Sequence, residues 1–385
     1  MKKERDNLHI IVLKLKTKFT VMNKTKINIG TLSDKFVATG VLLLFLSITA
    51  YGQRTIKINA KDIVPVSLSD IATAVRHIDL EPAGFEKIDN VIYADPYLFV
   101  NVYSIENEQK TPTRILQYNL TGKLLREILN EKTEGNKILK VMCDISLKRL
   151  FVAFGKETKC YDFSGKLLNA IPIMPSPAFY YNQQFWMTSI EPKNDIIHYS
   201  LSNYNLNTSV KSKIAADLKD KVTRGGDGAF TGFSPVFSVY NNSVHVAFSG
   251  LDNTIYRVQG QKLNPVIQFT TVPDSPASSK SFDKYVHKFQ GFIGKYLFIH
   301  YMIKRQMYLY VEDLSNKRMY NVKVTIHPNA KEEGITDDIF GSGVCDVAPL
   351  NVENLFYFVK KTNEATVKNK KPDENYYTIY IAKTK

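Results

Sequence analysis

The stretch "RILQYNLTGKLLREI" (114–128) returns as "TKCYDFSGKLLNAI" (158–171), and this repeated hairpin limits the fold more than any other feature. Aligned on the aromatic before the turn, Tyr118, Tyr161 and Tyr204 follow one another at intervals of 43 residues. Weaker copies stand at Tyr256 ("YRVQGQKL") and in "VEDLSNKRMYNV" (311–322). Each copy alternates apolar and polar residues, turns, and alternates again, which is the period-two pattern of paired strands. Gly122 and Gly165 supply the positive φ that a tight hairpin demands. A period in the forties with four strands per unit predicts a β-propeller blade. One such sheet cannot bury both faces, so successive sheets must stack around an axis.

With strands lettered A to D from the axis outward, the first blade runs from about Phe85 to Leu129, and further units follow to the C-terminus. The sixth unit has an inner-strand candidate in "GVCDVAPL" (343–350), then "NLFYFVKK" and "YYTIYIAK", and lacks an outer strand. Upstream, "DIVPVSLSDIATAVRHIDLE" (62–81) has strand character and no blade of its own. If it completes the last sheet, the chain is an all-β, six-bladed propeller of four-stranded antiparallel blades, closed by an N-terminal strand. Closure of this kind removes the exposed edges of an open stack. The 22 Tyr and 22 Phe, with many Val, Ile and Thr, agree with strands over helices.

The N-terminus reads as an address. "VATGVLLLFLSITAYGQ" (37–53) is an apolar run behind Lys35 that ends in small residues, too short for a comfortable membrane span. Cleavage between Gly52 and Gln53 leaves residues 53–385 as a single propeller domain, with 1–52 as a signal peptide. The n-region is long, and Met22 would begin a more ordinary signal. No Cys follows the apolar run, so the expectation is export to the periplasm, envelope or exterior without a lipobox anchor.

The sequence resembles the TolB-like or NHL-like six-bladed β-propellers of exported bacterial proteins of unknown function. "VSLSDIATAVRHIDLE", "YDFSGKLL", "KFQGFIGKYLFIHY" and "EGITDDIFGSGVCDVAPLNVENLFYF" carry the likeness, which covers roughly residues 60–385. The resemblance implies the architecture and export. It implies no catalytic signature, and the lipid anchor of some members has no Cys here to attach to.

Net charge is +14, of which the first 52 residues contribute +6. The remaining charges are scattered over strand and turn positions, the pattern of a solvated surface, and nucleic acid is not an expected partner. Cys143, Cys160 and Cys345 lack metal-site spacing, and the repeat places Cys143 and Cys160 on non-neighbouring strands, so free thiols are expected. In a propeller the D-to-A connections gather around the axis on one face. One of them, "KVTRGGDGAFTGF" (221–233), offers Arg224 and Asp227 to a ligand, although its glycines do not lead into a helix N-terminus. His287 stands near the start of an inner strand, with His327 also near that face. Asp337 and Asp338 in "TDDIFGSG" could hold a cation, but consecutive residues point apart and turn capping is the competing reading.

The histidines do not cluster, and no catalytic, metal or cofactor motif is present, so none is expected. Tyr180, Tyr181 and Trp186 could stack on sugars or simply pack between blades. The expected function is therefore a monomeric binding or scaffolding module that takes a protein, peptide or glycan partner on its loop-rich funnel face. The alternative is a metal-assisted hydrolase or lyase with an axial site, acting on a sugar derivative.

Overall fold

The computed structural model describes residues 53–106, 109–110, 113–173, 177–193, 196–221, 235–248, 253–272, 288–303, 306–324, 333–341, 343–361 and 375–385. It is a six-bladed β-propeller. Blade 1 comprises Lys87–Ala94, Tyr97–Tyr103, Arg114–Asn119 and Leu124–Asn130, strands A to D of one antiparallel sheet. Blade 2 runs from Lys140–Asp144 to Leu167–Ile171, and blade 3 from Pro177–Tyr181 to Val210–Lys221. Blade 4 runs from Pro235–Tyr240 to Lys262–Val272, and blade 5 from Lys288–Ile293 to Met319–Val324.

Blade 6 is assembled from both ends of the described chain. Its strands Ala348–Pro349, Leu355–Lys361 and Tyr377–Thr384 are completed on the outside by Ala72–Asp79, paired antiparallel with Val75 opposite Ala382. The expected closing strand is thus in place. Its inner strand is shorter than "GVCDVAPL" suggested, because Val344–Cys345 pairs instead with Ile335–Thr336 in a small separate ladder. Pro349 has no N–H to extend the inner pairing.

The residues upstream of the closing strand do something that the repeat did not foretell. Arg54–Asn59 lies parallel to the outer strand of blade 4, with Arg54 opposite Ile267 and Asn59 opposite Val272. Val64 then bridges to Asn321 on the outer strand of blade 5, and a helical turn, Leu68–Ile71, leads into blade 6. This strap runs along three consecutive blades.

Ring closure is visible in the packing. The buried apolar side chains of the described residues fall into six clusters, one for each seam between neighbouring blades. Period-two alternation explains this, since the two faces of each blade turn toward different neighbours. Leu98, Val100 and Tyr118 face blade 6, whereas Phe99 and Ile115 face blade 2. A fully buried Leu or Phe contributes about 1.5–3 kcal/mol relative to exposure, so each seam is a substantial hydrophobic interface.

The hairpin turns follow the expected chemistry. Gly122 and Gly165 have φ of 85° and 87°. The A-to-B turns of blades 3 and 4 place Asn182–Gln183 and Asn241–Asn242 at positive φ, the geometry of a two-residue turn matched to strand twist. Cys143 and Cys160 lie on strands separated by Arg149–Ala153, and all three cysteines are free thiols, as expected.

Candidate functional site

The inner strands of all six blades converge on an axial cavity of about 230 Å³. Strand A of each blade runs from the D-to-A connection toward the A-to-B turn. Lys140, the first residue of its inner strand, therefore marks one end of the cavity, and the blade 6 turn Asn351–Asn354 marks the other. That turn is anchored across the seam: the Tyr93 amide donates to Asn351 Oδ1 at 2.8 Å, and Asn351 Nδ2 donates back to the Tyr93 carbonyl at 3.0 Å. A volume of this size is smaller than the roughly 300–1,000 Å³ of drug-sized pockets, so the axis admits one side chain or one ring.

Much of the wall is aromatic. Phe179 and Phe237 from neighbouring blades stack with centroids 5.5 Å apart and planes 4° from parallel. Tyr180 and Tyr181 also line the cavity, while Trp186 is buried in the seam between blades 3 and 4. Tyr180 is held by its hydroxyl, which donates to Asp144 Oδ2. Burial by itself would raise the Asp144 carboxyl. Hydrogen bonds from Ser146, Tyr180 and the Leu147 amide outweigh it and hold the group below the usual carboxylate range. The Tyr180 phenol is pushed up by burial and by that carboxylate.

Two polar groups in the cavity are uncommitted. Among the described residues no carboxylate lies within ion-pair distance of Lys140, which is wetted by the channel yet surrounded by protein. Desolvation lowers its pKa, with the nearby Asp89 opposing the shift. Ser238 is buried to 6% exposure, and its Oγ meets no hydrogen-bond partner among the described residues. Both groups escaped the sequence reading. Lys140 resembles any charged residue at a strand end, and the usable signal was its place on an inner strand.

Arg224, Asp227, His287 and His327 lie outside the described residues, as do Met22 and Gly52. Gln53 is the first described residue and donates from Nε2 to Gln268 Oε1 at 3.2 Å. Asp337 is fully buried: Oδ1 accepts from the amides of Ile339 and Phe340, and Oδ2 pairs with Lys360. Asp338 points the other way and accepts from the Ser69 amide at 3.0 Å and from its hydroxyl. Both carboxylates are thus engaged in the fold, one as a turn cap and ion pair, the other as a latch on the strap. Among the described residues no three of His, Cys, Asp and Glu come together as a metal site. His245 and His300 are buried strand residues, and the His245 Nδ1 donates to the Ser243 carbonyl at 3.0 Å.

No family model matches this chain, and no curated protein matches it. Among solved structures, an exported protein from Bacteroides fragilis aligns with a TM-score of 0.57 over 86% of this chain and 99% of its own, at 12% identity. The two share a fold. Weaker likenesses are the β-propeller domain of the Trilobed protease from Pyrococcus furiosus (TM-score 0.38, 9% identity, covering 73% and 91%) and the extracellular domain of a one-component system from B. thetaiotaomicron (0.34, 11%, covering 65% and 30%). No helix among the described residues is long and apolar enough to cross a membrane.

Proposed function

We propose that the chain is an exported binding module of the TolB-like or NHL-like kind, taking a protein, peptide or glycan partner at the axis and the loop-bearing face of the ring. The observation that carries this reading is the chemistry of the axial cavity: aromatic walls, an unpaired Lys140 and an unpartnered Ser238 hydroxyl. Such a site recognises without reacting, stacking a flat group and pairing an acidic one with the lysine. Arg224, Asp227 and His287, which the sequence assigns to D-to-A connections, are ligand-binding residues in this proposal. Export rests on the apolar run at 37–53, with Gln53 as the mature N-terminus.

The test compares capture from cell-envelope extracts by the wild type and by Lys140→Glu, quantified by mass spectrometry. The expected result is a partner whose yield falls at least tenfold in the variant. A partner retained equally by both would remove the axis from recognition. Stoichiometric metal in the purified protein would favour the hydrolase or lyase instead. N-terminal sequencing of protein recovered outside the cytoplasm should begin at Gln53.

A further inference from the structure

A second cavity lies off the axis, in the seam between blades 1 and 2 on the A-to-B turn side. Its volume, about 440 Å³, falls within the range of ligand pockets. Blade 1 builds one wall from a single cross-strand row, because Gln117 stands opposite Phe99 on one side and opposite Arg126 on the other. Blade 2 supplies the facing wall through Phe163 and the turn residue Lys148. Phe163 packs against Phe99 at 5.0 Å and meets Tyr97 edge-on at 6.3 Å, which leaves an aromatic floor.

Gln117 is the buried polar residue of this wall. It is 2% exposed, and its side-chain oxygen meets no donor among the described residues. A buried amide oxygen without a donor is costly, and native folds rarely retain one without a use. The neighbouring repeat avoids it: counted from the turn aromatics Tyr118 and Tyr161, the position of Gln117 in blade 1 is that of Cys160 in blade 2. Cys160 is packed into an apolar cluster. Around the acceptor stand exposed charges. Arg126 is held at the rim by donating from Nη1 to the Ser164 carbonyl at 3.2 Å. Among the described residues, neither it nor Lys148 has a carboxylate within ion-pair distance. Asp95, also on the wall, adds an acceptor.

We propose that this seam binds an acidic sugar, a uronic-acid residue of a glycan. The ring's apolar face rests on Tyr97 and Phe163, its hydroxyls donate to Asp95 and, as the Gln117 amide turns out of its buried position, to Gln117 Oε1, and its carboxylate sits between Arg126 and Lys148. A neutral sugar leaves both cations unused. A small anion leaves Gln117 unpaired. The site is separate from the axial one and stands or falls independently of it.

The test titrates the full chain with glucuronic and galacturonic acid, and with glucose and inorganic phosphate as controls, by calorimetry and NMR. Uronate should bind saturably and at least tenfold more tightly than glucose or phosphate. Affinity should fall at least tenfold in Lys148→Glu and in Gln117→Leu. Lys148 lies in an exposed turn and Leu suits a buried position, so thermal melting of both variants should match or exceed the wild type. The proposal is overturned if no saturable uronate binding occurs, if glucose binds as well, if phosphate binds as well, or if Lys148→Glu retains affinity.

Discussion

Blades 1 to 3 and blades 4 to 6 share one repeat yet end differently at the rim. On the first half the outer strands of blades 1 and 2 carry no added strand and that of blade 3 meets its neighbour only where Ala215 stands opposite Lys262, and Leu125, Leu167, Leu168 and Val210 are between 38% and 54% exposed there. On the second half the strap lies against each outer strand in turn or supplies it, so that Ile267, Phe269, Tyr320 and Val322 are buried. An unpaired edge invites association with another chain. The bare half answers this with charge, carrying Lys123, Arg126, Glu127, Lys166, Lys211 and Lys213 on or beside its outer strands. Edge protection in this ring therefore comes from two sources, charged side chains on one half and a unique segment on the other.

The sharpest way to break the comparison is at the paired glycines. A Cβ on Gly122 would stand 1.8 Å from the Asp79 carbonyl oxygen, because the end of the closing strand runs over that turn and Glu81 donates its amide to the Gly122 carbonyl. On Gly165 the nearest atom is the Ile128 Cδ1 at 3.4 Å. Both positions carry the positive-φ penalty of about 1–2 kcal/mol, and only Gly122 adds a backbone clash. Gly122→Ala should cost about 3–5 kcal/mol and Gly165→Ala about 1–2, by urea unfolding. Equal costs would mean that the closing strand yields freely.

A smaller difference is expected between ion pairs. Arg54 on the strap pairs with Glu312, whose side chain is fully buried and also accepts from the Tyr310 hydroxyl at 3.1 Å. Arg54→Ala leaves that carboxylate without its cation and should cost about 2–3 kcal/mol, the arginine being 32% exposed. On the bare half, Lys159 meets Glu134 at 2.7 Å with both side chains partly exposed. Lys159→Ala should cost about 0.5–1 kcal/mol.

Acid loosens both halves, because the Asp144 carboxyl of blade 2 is lowered as well as two on the side of the strap. Burial opposes ionisation of Asp337, but the bonds from Lys360 and the Phe340 and Ile339 amides prevail and lower its pKa; the Ser69 hydroxyl does the same for Asp338. Carboxylates lowered in the fold contribute full stability above the unfolded value, about 4, and lose it as pH falls through the folded value. Asp337→Asn should therefore flatten the dependence of melting temperature on pH below about 4.

A second pH effect concerns His245 in blade 4. Burial lowers its pKa to about 4, so between about 6.5 and 4 the unfolded chain takes up a proton that the folded chain refuses. Stability falls as pH drops through that window. His245→Phe should reduce the loss by about 1–3 kcal/mol between pH 6.5 and 4, measured by denaturant titration at each pH. An unchanged slope would place the proton uptake elsewhere.

The hairpins, the number of blades and the borrowed outer strand of blade 6 were legible in the sequence, because each is written in local periodicity and turn chemistry. Asp337 and Asp338 were legible as a turn. Their partners, Lys360 and Ser69, were not, since those residues meet only when distant segments pack. Lys140 and Gln117 looked ordinary for the same reason.

Alternation and the spacing of turn aromatics determine, from the chain alone, that this protein makes four-stranded blades and how many. Closure into a ring decides the rest. It sets Asp79 against Gly122 but only Ile128 against Gly165, and it leaves Gln117 facing a cleft where Cys160 meets apolar neighbours. A repeat encodes the conformation of its own unit, whereas the energy and chemistry of a position depend on which neighbour the ring brings to it.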